Sequence, residues 1–374
     1  MVLPLLDELT GGLSVAAAPT LGRDTGTGLL GLSTLLLSVP MLTGFLEAPI
    51  LAWTDRKRHA RQRLVAAGLA GMAASLILTS FAHGPLALAL AAALYGPMNG
   101  IALGTGEAMY VDGAGDDTDR RLARWTVFAS LGDVLAPAIL ALTTLAGISW
   151  RTCFAMCGVA LMLVAAATLR VEMTPIEAHD DDKPEEPVWQ SLRHALGHRT
   201  LVAWLAGAAL CTLLDELLAV LSSVWISERF SPSLAAPTLI AFSVGSTVGS
   251  LWLERLLARH SPLRLLAASS VACAASLIAW LWAPTWPFAL AGAFAVGLTA
   301  GPLHPLAKAR AFAAMPTRPG LVNGASQAFI VLDLVAPALL AFTAERWGLR
   351  TALGLLALQP VGLAILVFTS RKAP

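Results

Sequence analysis

The stretch LGDVLAPAILALT at residues 131–143 occurs again, slightly altered, as LDLVAPALLAFT at residues 332–343. Four further blocks repeat in the same order along the chain, and the spacing between the copies drifts only from 208 to 199 residues. These blocks are LLDEL (5–9 and 213–217), FLE and WLE (45–47 and 252–254), AASL (73–76 and 274–277), and WRT and LRT (150–152 and 349–351). Repeats that keep their order predict two structurally similar halves.

Composition places this repeat in a membrane. Of the 374 residues, 56% are hydrophobic and 13% are charged, and the mean hydropathy is +0.70. A soluble domain has about 25% charged residues. A bilayer core needs about 20 apolar residues per spanning helix. The apolar runs predict twelve such helices, at 1–22, 28–52, 64–83, 85–109, 123–146, 151–169, 201–226, 234–256, 264–283, 287–309, 321–344 and 351–369.

The distribution of basic residues predicts the orientation of these helices. Alternate breaks, together with the C-terminal tail, contain 20 of the 25 lysines and arginines. Basic loops stay on the cytoplasmic side of a membrane. We therefore expect both termini in the cytoplasm, and a multi-pass protein of the cell membrane, such as a bacterial inner membrane.

The repeat and the spans together predict three parts. Residues 1–170 form an N-terminal six-helix half and residues 201–374 a C-terminal one. An even number of spans gives both halves the same orientation, so the repeat is parallel. The segment 171–200 between them contains AHDDDKPEEP, which predicts a flexible cytoplasmic linker. The following WQSLRHAL predicts a short interfacial helix.

Acids inside the predicted spans are the first candidate functional residues. The pairs Asp7-Glu8 and Asp215-Glu216 occupy matching positions, as do Asp133 and Asp333. A charge at the centre of a membrane helix costs about 2.5–3.5 kcal/mol on insertion scales. Six ionised carboxylates would also repel one another, so we expect some to be protonated or joined by a cation. The alternative is that several accept hydrogen bonds between helices or cap helices broken near Pro137 and Pro337.

Two further features lie on the fourth and eighth predicted spans. Asn99 lies near the membrane midplane and could bind solute or a neighbouring helix. Glycines recur every four residues at 96, 100 and 104, and at 245 and 249. This spacing favours close helix packing.

Several motifs resemble those of the major facilitator superfamily. The loop after the second span contains Asp55-Arg56 followed by three more arginines, and Trp150-Arg151 precedes the sixth span. Gly132 to Ala136-Pro137 is similar to the fifth-span motif of proton-coupled exporters. The resemblance implies an all-α fold of two parallel six-helix repeats, a substrate site near the midplane between the halves, and alternating access.

The resemblance also suggests a cytoplasmic gate, because similar transporters use their Asp-Arg loop as a latch between helices. The candidate gate residues are Asp55, Arg56, Glu107, Lys308 and Arg310. Glu107 in the first half aligns with Lys308 in the second. The alternative is that these side chains only reach the membrane interface and form ion pairs there.

These features favour a proton-coupled secondary transporter that exports a small amphipathic or cationic compound. The alternative is a proton-coupled symporter that takes up a nutrient or lipid-like solute. A lipid scramblase or membrane enzyme is less favoured, because the sequence shows no metal-ligand cluster, nucleophile–base arrangement or phosphate-binding loop. We expect no cofactor, no metal and no nucleic-acid partner, and a monomer that acts on a small solute and protons within the bilayer.

Overall fold

The computed structural model describes residues 2–27, 31, 34–171 and 186–370. Every regular element among these residues is helical. We number the helices along the chain as α1 Val2–Thr25, α2 Thr34–Thr54, α3 Arg58–Ser80, α4 Pro85–Val111, α5 Thr118–Leu145, α6 Trp150–Thr168, α7 Val188–Gly197, α8 Arg199–Arg229, α9 Pro232–Leu257, α10 Pro262–Leu281, α11 Trp286–Ala314, α12 Pro319–Trp347 and α13 Leu349–Ser370.

Eleven helices of the described chain are long and apolar enough to cross a membrane, namely α2–α6 and α8–α13. Helix α1 has 24 residues and is therefore also long enough, but it contains the adjacent acids Asp7 and Glu8. The prediction of an all-α membrane protein is confirmed. The structure corrects several bounds: α5 begins at Thr118 rather than 123, and the first residues predicted for the second span lie partly outside the described residues.

Several spanning helices contain irregular turns. Helix α11 is interrupted at Gly301-Pro302, where proline cannot donate a backbone hydrogen bond. Helix α12 contains a 3₁₀ turn at Gln327–Phe329, and α2 contains one at Phe45–Glu47. By contrast, α5 continues through Pro137 and α12 continues through Pro337.

The chain divides into two compact units, and each contains a piece of the other sequence half. Unit 1 consists of Met1–Gly113, Leu131–Gly197 and Met315–Ala328. Unit 2 consists of Ala114–Ser130, His198–Ala314 and Phe329–Pro374. The exchanged segments are the first turns of α5 and of α12. The division of the sequence into halves at 1–170 and 201–374 stays a prediction.

Small residues allow close helix packing within each unit. In unit 1, Gly96 faces the backbone of α2 at Pro40, and Gly104 faces Leu51. In unit 2, Gly245 and Gly249 face the backbone of α11. The prediction that these glycines pack helices together is confirmed. Such packing replaces the hydrophobic effect as a source of helix association in lipid.

The predicted short helix after the linker is present as α7. Its Leu192 and Ala195 are buried in unit 1, while Trp189 is exposed. Helix α7 packs against the last turns of α2 and the first turns of α12. Because α2 and α12 belong to different sequence halves, α7 contacts both halves within one unit.

Candidate functional site

In unit 1 the structure brings an acid of α1 to an acid of α5. The carboxyl groups of Glu8 and Asp133 are joined by a hydrogen bond. Two carboxylates cannot form such a bond when both are ionised, because neither then has a proton to donate. The two groups can therefore share one proton, which makes them the candidate proton-binding pair of unit 1.

A glycine makes this meeting of α1 and α5 possible. A Cβ atom at position 132 would lie within 2.9 Å of the Leu5 carbonyl oxygen, Glu8 Cβ and Leu9 N. Only glycine leaves room for the two backbones at this point. The residue that resembled part of an exporter motif in the sequence thus serves to bring Glu8 next to Asp133.

We expect Gly132→Ala to destabilise the protein by about 1–3 kcal/mol, because the added methyl group overlaps backbone atoms of α1 that cannot turn away. Thermal unfolding of the purified protein in detergent, followed by size-exclusion chromatography after heating, measures this loss. The matched control is Gly362→Ala in α13, where a Cβ would meet no atom within 4 Å. Equal unfolding temperatures for the two variants would contradict the close approach.

Asp7 points to a different neighbour from Glu8, as adjacent helical positions require. Asn99 Nδ2 on α4 donates a hydrogen bond of 2.8 Å to Asp7 Oδ1. One turn earlier on α4, Tyr95 and Thr10 share a hydrogen bond of 2.8 Å. Asn99 Oδ1 is buried without a hydrogen-bond partner among the described residues. The result is a polar row between α1 and α4 with one free acceptor.

The sequence analysis did not single out Tyr95 or Thr10. The signal was available, because Tyr95 precedes Asn99 by four residues and so lies on the same face of α4. Tyr95 is also one of only two tyrosines in the chain, and it lies inside a predicted span.

Unit 2 contains the corresponding acids of the second half. Glu216 on α8 lies close enough to Asp333 on α12 for their charges to interact. Asp333 lies inside α12, one turn after the 3₁₀ turn Gln327–Phe329. Its Oδ1 is buried with no hydrogen-bond partner among the described residues. Asp333 therefore makes no capping hydrogen bond with the described part of α12, and Asp133 lies inside an unbroken helix.

Asp215, adjacent to Glu216, has different surroundings. It lies close to the thiols of Cys211 and Cys273. Gln359 Nε2 of α13 donates a hydrogen bond of 3.1 Å to Cys211 Sγ. The two halves thus place their first acid beside different partners, an asparagine for Asp7 and thiols for Asp215.

Among the candidate gate residues, Asp55 directly follows α2 and contacts the start of α12. Its carboxylate accepts hydrogen bonds from the backbone N–H groups of Gly320, at 2.8 Å, and Leu321, at 2.7 Å. These groups have no partner inside the helix, and the helix dipole attracts a negative charge to them. Burial raises the pKa of Asp55, whereas Arg61 and the two N–H groups act in the opposite direction.

Arg61 connects Asp55 to the end of α4. Its guanidinium group is fully buried and donates to Asp55 Oδ1 at 2.8 Å, to Asp112 Oδ2 at 2.6 Å and to the Thr54 carbonyl oxygen at 3.1 Å. Arg58 adds an ion pair of 3.3 Å to Asp112. Arg61 is one of the three arginines that follow Asp55-Arg56 in the sequence, and it was not predicted to belong to the gate.

The other gate candidates have separate surroundings. Arg56 donates to the Glu186 carbonyl oxygen and to Ser191 Oγ, so it holds α7 rather than α12. Arg310 pairs with Asp119 at the start of α5, and Arg124 of α5 pairs with Glu254 of α9. Glu107 is buried in α4, and Lys308 lies half-buried in α11.

One further contact near this end was not predicted. Gln327 Nε2, in the 3₁₀ turn of α12, donates to Glu47 Oε1, in the 3₁₀ turn of α2. Gly100 of α4 faces the same carboxylate. The described residues contain no group of histidine, cysteine, aspartate or glutamate side chains arranged to hold a metal ion.

Repeated helices that are long and apolar enough to cross a membrane define a multi-pass membrane protein. The family model of the Major Facilitator Superfamily matches residues 5–222, and the chain belongs to this family. It is therefore a transporter of the major facilitator fold, a family whose members are generally not enzymes.

Solved structures share this fold. The E. coli fucose:proton symporter FucP aligns with a TM-score of 0.80 and 15% sequence identity, over 100% of this chain and 97% of that one. FucP in an outward conformation aligns with a TM-score of 0.78. The human organic anion transporter MFSD10 (TETRAN) aligns with a TM-score of 0.73 and 17% identity, over 98% and 97% of the two chains. No curated protein sequence matches the chain.

Proposed function

We propose that the chain is a proton-coupled secondary transporter that works by alternating access and exports a small amphipathic or cationic compound. The observation that carries the proposal is the hydrogen bond between the carboxyl groups of Glu8 and Asp133. A pair that shares a proton in one arrangement can release it when α1 and α5 separate or when a cation approaches.

The second half supports this reading. Glu216 and Asp333 repeat the combination of one acid from the first helix of a half and one from its fifth helix. Among the described residues, neither forms an ion pair with a lysine or arginine. Two proton-binding acid pairs, one in each half, would give the carrier two places at which charge can be exchanged.

The charge of these pairs favours a cationic solute. A bound cation stabilises ionised carboxylates and so displaces their protons, while protonation of the carboxylates weakens the binding of the cation. Such mutual exclusion is the requirement for exchange of one against the other. With protons entering the cell down their gradient, exchange moves the solute outwards.

A second candidate is proton-coupled uptake of a neutral polar solute. The observation that favours it is the polar row of Asp7, Asn99, Tyr95 and Thr10, in which Asn99 Oδ1 remains a free acceptor. A solute hydroxyl group could donate to that oxygen. The similarity to a fucose:proton symporter concerns the fold alone.

We also propose a role in transport for the charged contacts at the ends of α2, α4 and α12. We assign them to a latch that closes the cytoplasmic side, formed by Asp55 with the start of α12, and supported by Arg310 with Asp119. Arg56 fastens α7 beside it. In the proposed orientation both termini lie in the cytoplasm of a bacterial cell, and the protein acts as a monomer.

Ethidium, a permanently charged amphipathic cation, tests the proposal in liposomes that contain the purified protein and carry an imposed pH gradient. Exchange with protons should concentrate ethidium in the more acidic compartment, and an ionophore that abolishes the gradient should abolish this accumulation. Accumulation of a neutral solute on the alkaline side would instead support symport. Ethidium movement that ignores the pH gradient would exclude proton coupling, and no movement at all would contradict the cationic solute.

A further inference from the structure

A surface groove of unit 2 runs between the first turns of α5 and the last turns of α9. Its outer part is a cavity of about 570 Å³ lined by Arg120, Leu251, Glu254, Arg255 and Ala258. Its inner part is a cavity of about 250 Å³ lined by Ala123, Arg124, Val127, Phe128, Ser250, Leu251 and Glu254. The two parts share Leu251 and Glu254, so they form one continuous depression.

The outer part of the groove has more basic than acidic side chains among its described lining residues. Arg255 makes no hydrogen bond or ion pair with any described residue, and Arg120 forms an ion pair of 3.5 Å with Asp117 and a longer-range interaction with Glu254. Both side chains of that pair are about half exposed, so the pair contributes little to stability. The acid that lines the groove, Glu254, is paired with Arg124. Two arginines therefore remain available to an anion.

Apart from Ser250 and the Arg124–Glu254 ion pair, the inner part of the groove is lined by apolar side chains from both helices. Ala123, Val127 and Phe128 follow Arg120 along α5, and Leu251 precedes Arg255 by one turn on α9. From Arg120 to Phe128 the helix rises about 12 Å. Leu251 is half exposed in a helix long and apolar enough to cross the membrane. The groove thus changes from charged to apolar in the direction of the bilayer centre.

We propose that this groove binds an anionic phospholipid, with its phosphate on Arg120 and Arg255 and one acyl chain along Ala123, Val127, Phe128 and Leu251. A free phosphate ion would use the arginines but leave the apolar walls exposed, whereas a lipid with an anionic head matches both parts. Because Arg120 and Arg255 come from different sequence halves, the bound lipid bridges them within unit 2. This lipid site would exist whether or not transport is coupled to protons.

Native mass spectrometry of the purified protein, mixed with equal amounts of phosphatidylglycerol and phosphatidylethanolamine, tests the proposal. The wild-type protein should retain phosphatidylglycerol in preference. The preference should fall about fivefold for each arginine removed in Arg120→Gln and Arg255→Gln, since each basic residue near a membrane contributes about that factor. The matched control, Arg259→Gln, removes the same charge just beyond α9 from a residue that does not line the groove.

Val127→Trp, at a partly exposed position, provides a second variant that keeps both arginines but fills the apolar part, and it should also lose the lipid. Three results would overturn the proposal. The first is an equal loss in Arg259→Gln, which would indicate a general surface-charge effect. The second is displacement of the lipid by inorganic phosphate, which would indicate an anion site without an acyl chain. The third is a wild-type protein with no preference between the two lipids.

Discussion

Asp133→Asn is expected to abolish accumulation of ethidium against its gradient in liposomes, down to the level of liposomes without protein. The asparagine has the size of the aspartate and can keep a hydrogen bond to Glu8, so the packing of α1 on α5 should survive. It cannot release a proton, however. The pair would therefore resemble its protonated form permanently, and the step that exchanges a proton for a cation would be lost.

The measurement compares ethidium movement with and without a pH gradient. Downhill equilibration should remain in Asp133→Asn, because the change removes the coupling and leaves the helices in place. Asp333→Asn shows whether the pair of the second half is also needed. Glu345→Gln, an exposed acid of α12, is the control and should accumulate ethidium as the wild type does. Full accumulation by Asp133→Asn would exclude this carboxyl group from coupling.

Arg61→Ala should destabilise the protein by about 3–5 kcal/mol, because it removes the counter-charge of the buried Asp55 and leaves Asp112 with only the longer ion pair to Arg58. The side chain is fully buried, and it bridges Asp55, Asp112 and the Thr54 carbonyl oxygen. Arg61→Lys should retain only part of the stability. A single ammonium group cannot reproduce the planar fork that contacts three partners at once.

Unfolding in mixed detergent micelles, followed by circular dichroism, gives the free energies for this comparison. Arg63→Ala is the matched control: it removes the same charge from the same turn of α3, at an exposed position. A surface change of this kind is usually worth less than about 0.5 kcal/mol. The role of Arg61 would be wrong if Arg61→Ala were as stable as Arg63→Ala.

Much of the candidate site could be predicted from the sequence, because intramembrane charge is rare enough to stand out. Asp7, Glu8 and Asp133 were singled out as acids, yet nothing in their spacing indicated that Glu8 rather than Asp7 meets Asp133. That choice depends on how α1 is rotated against α5, which Gly132 determines by close approach. The rotation of one helix against another depends on the contacts between them, so the sequence of a single helix does not reveal it.

The candidate gate residues show even more clearly that the sequence does not reveal contact partners. Asp55 and Arg56 are neighbours in a loop, and both were predicted to belong to a gate. In the structure, Asp55 accepts a hydrogen bond from the start of α12, whereas Arg56 donates one to α7. Arg61, one of several arginines in the loop, is the buried one. Sequence reasoning could not distinguish it, since burial depends on segments more than 50 residues away at Asp112 and more than 250 residues away at Gly320.

The sequence by itself determined the helices, their approximate bounds, the two-fold repeat and the acids placed inside the membrane. Hydropathy and helix length are local properties, and a bilayer allows few alternatives to a helix because every backbone hydrogen bond must be made internally. Only the tertiary structure decided which carboxyl groups are neighbours, which arginine is buried and which segments the two compact units exchange. Those outcomes depend on side-chain contacts between distant helices, where packing within a few ångströms decides the partner.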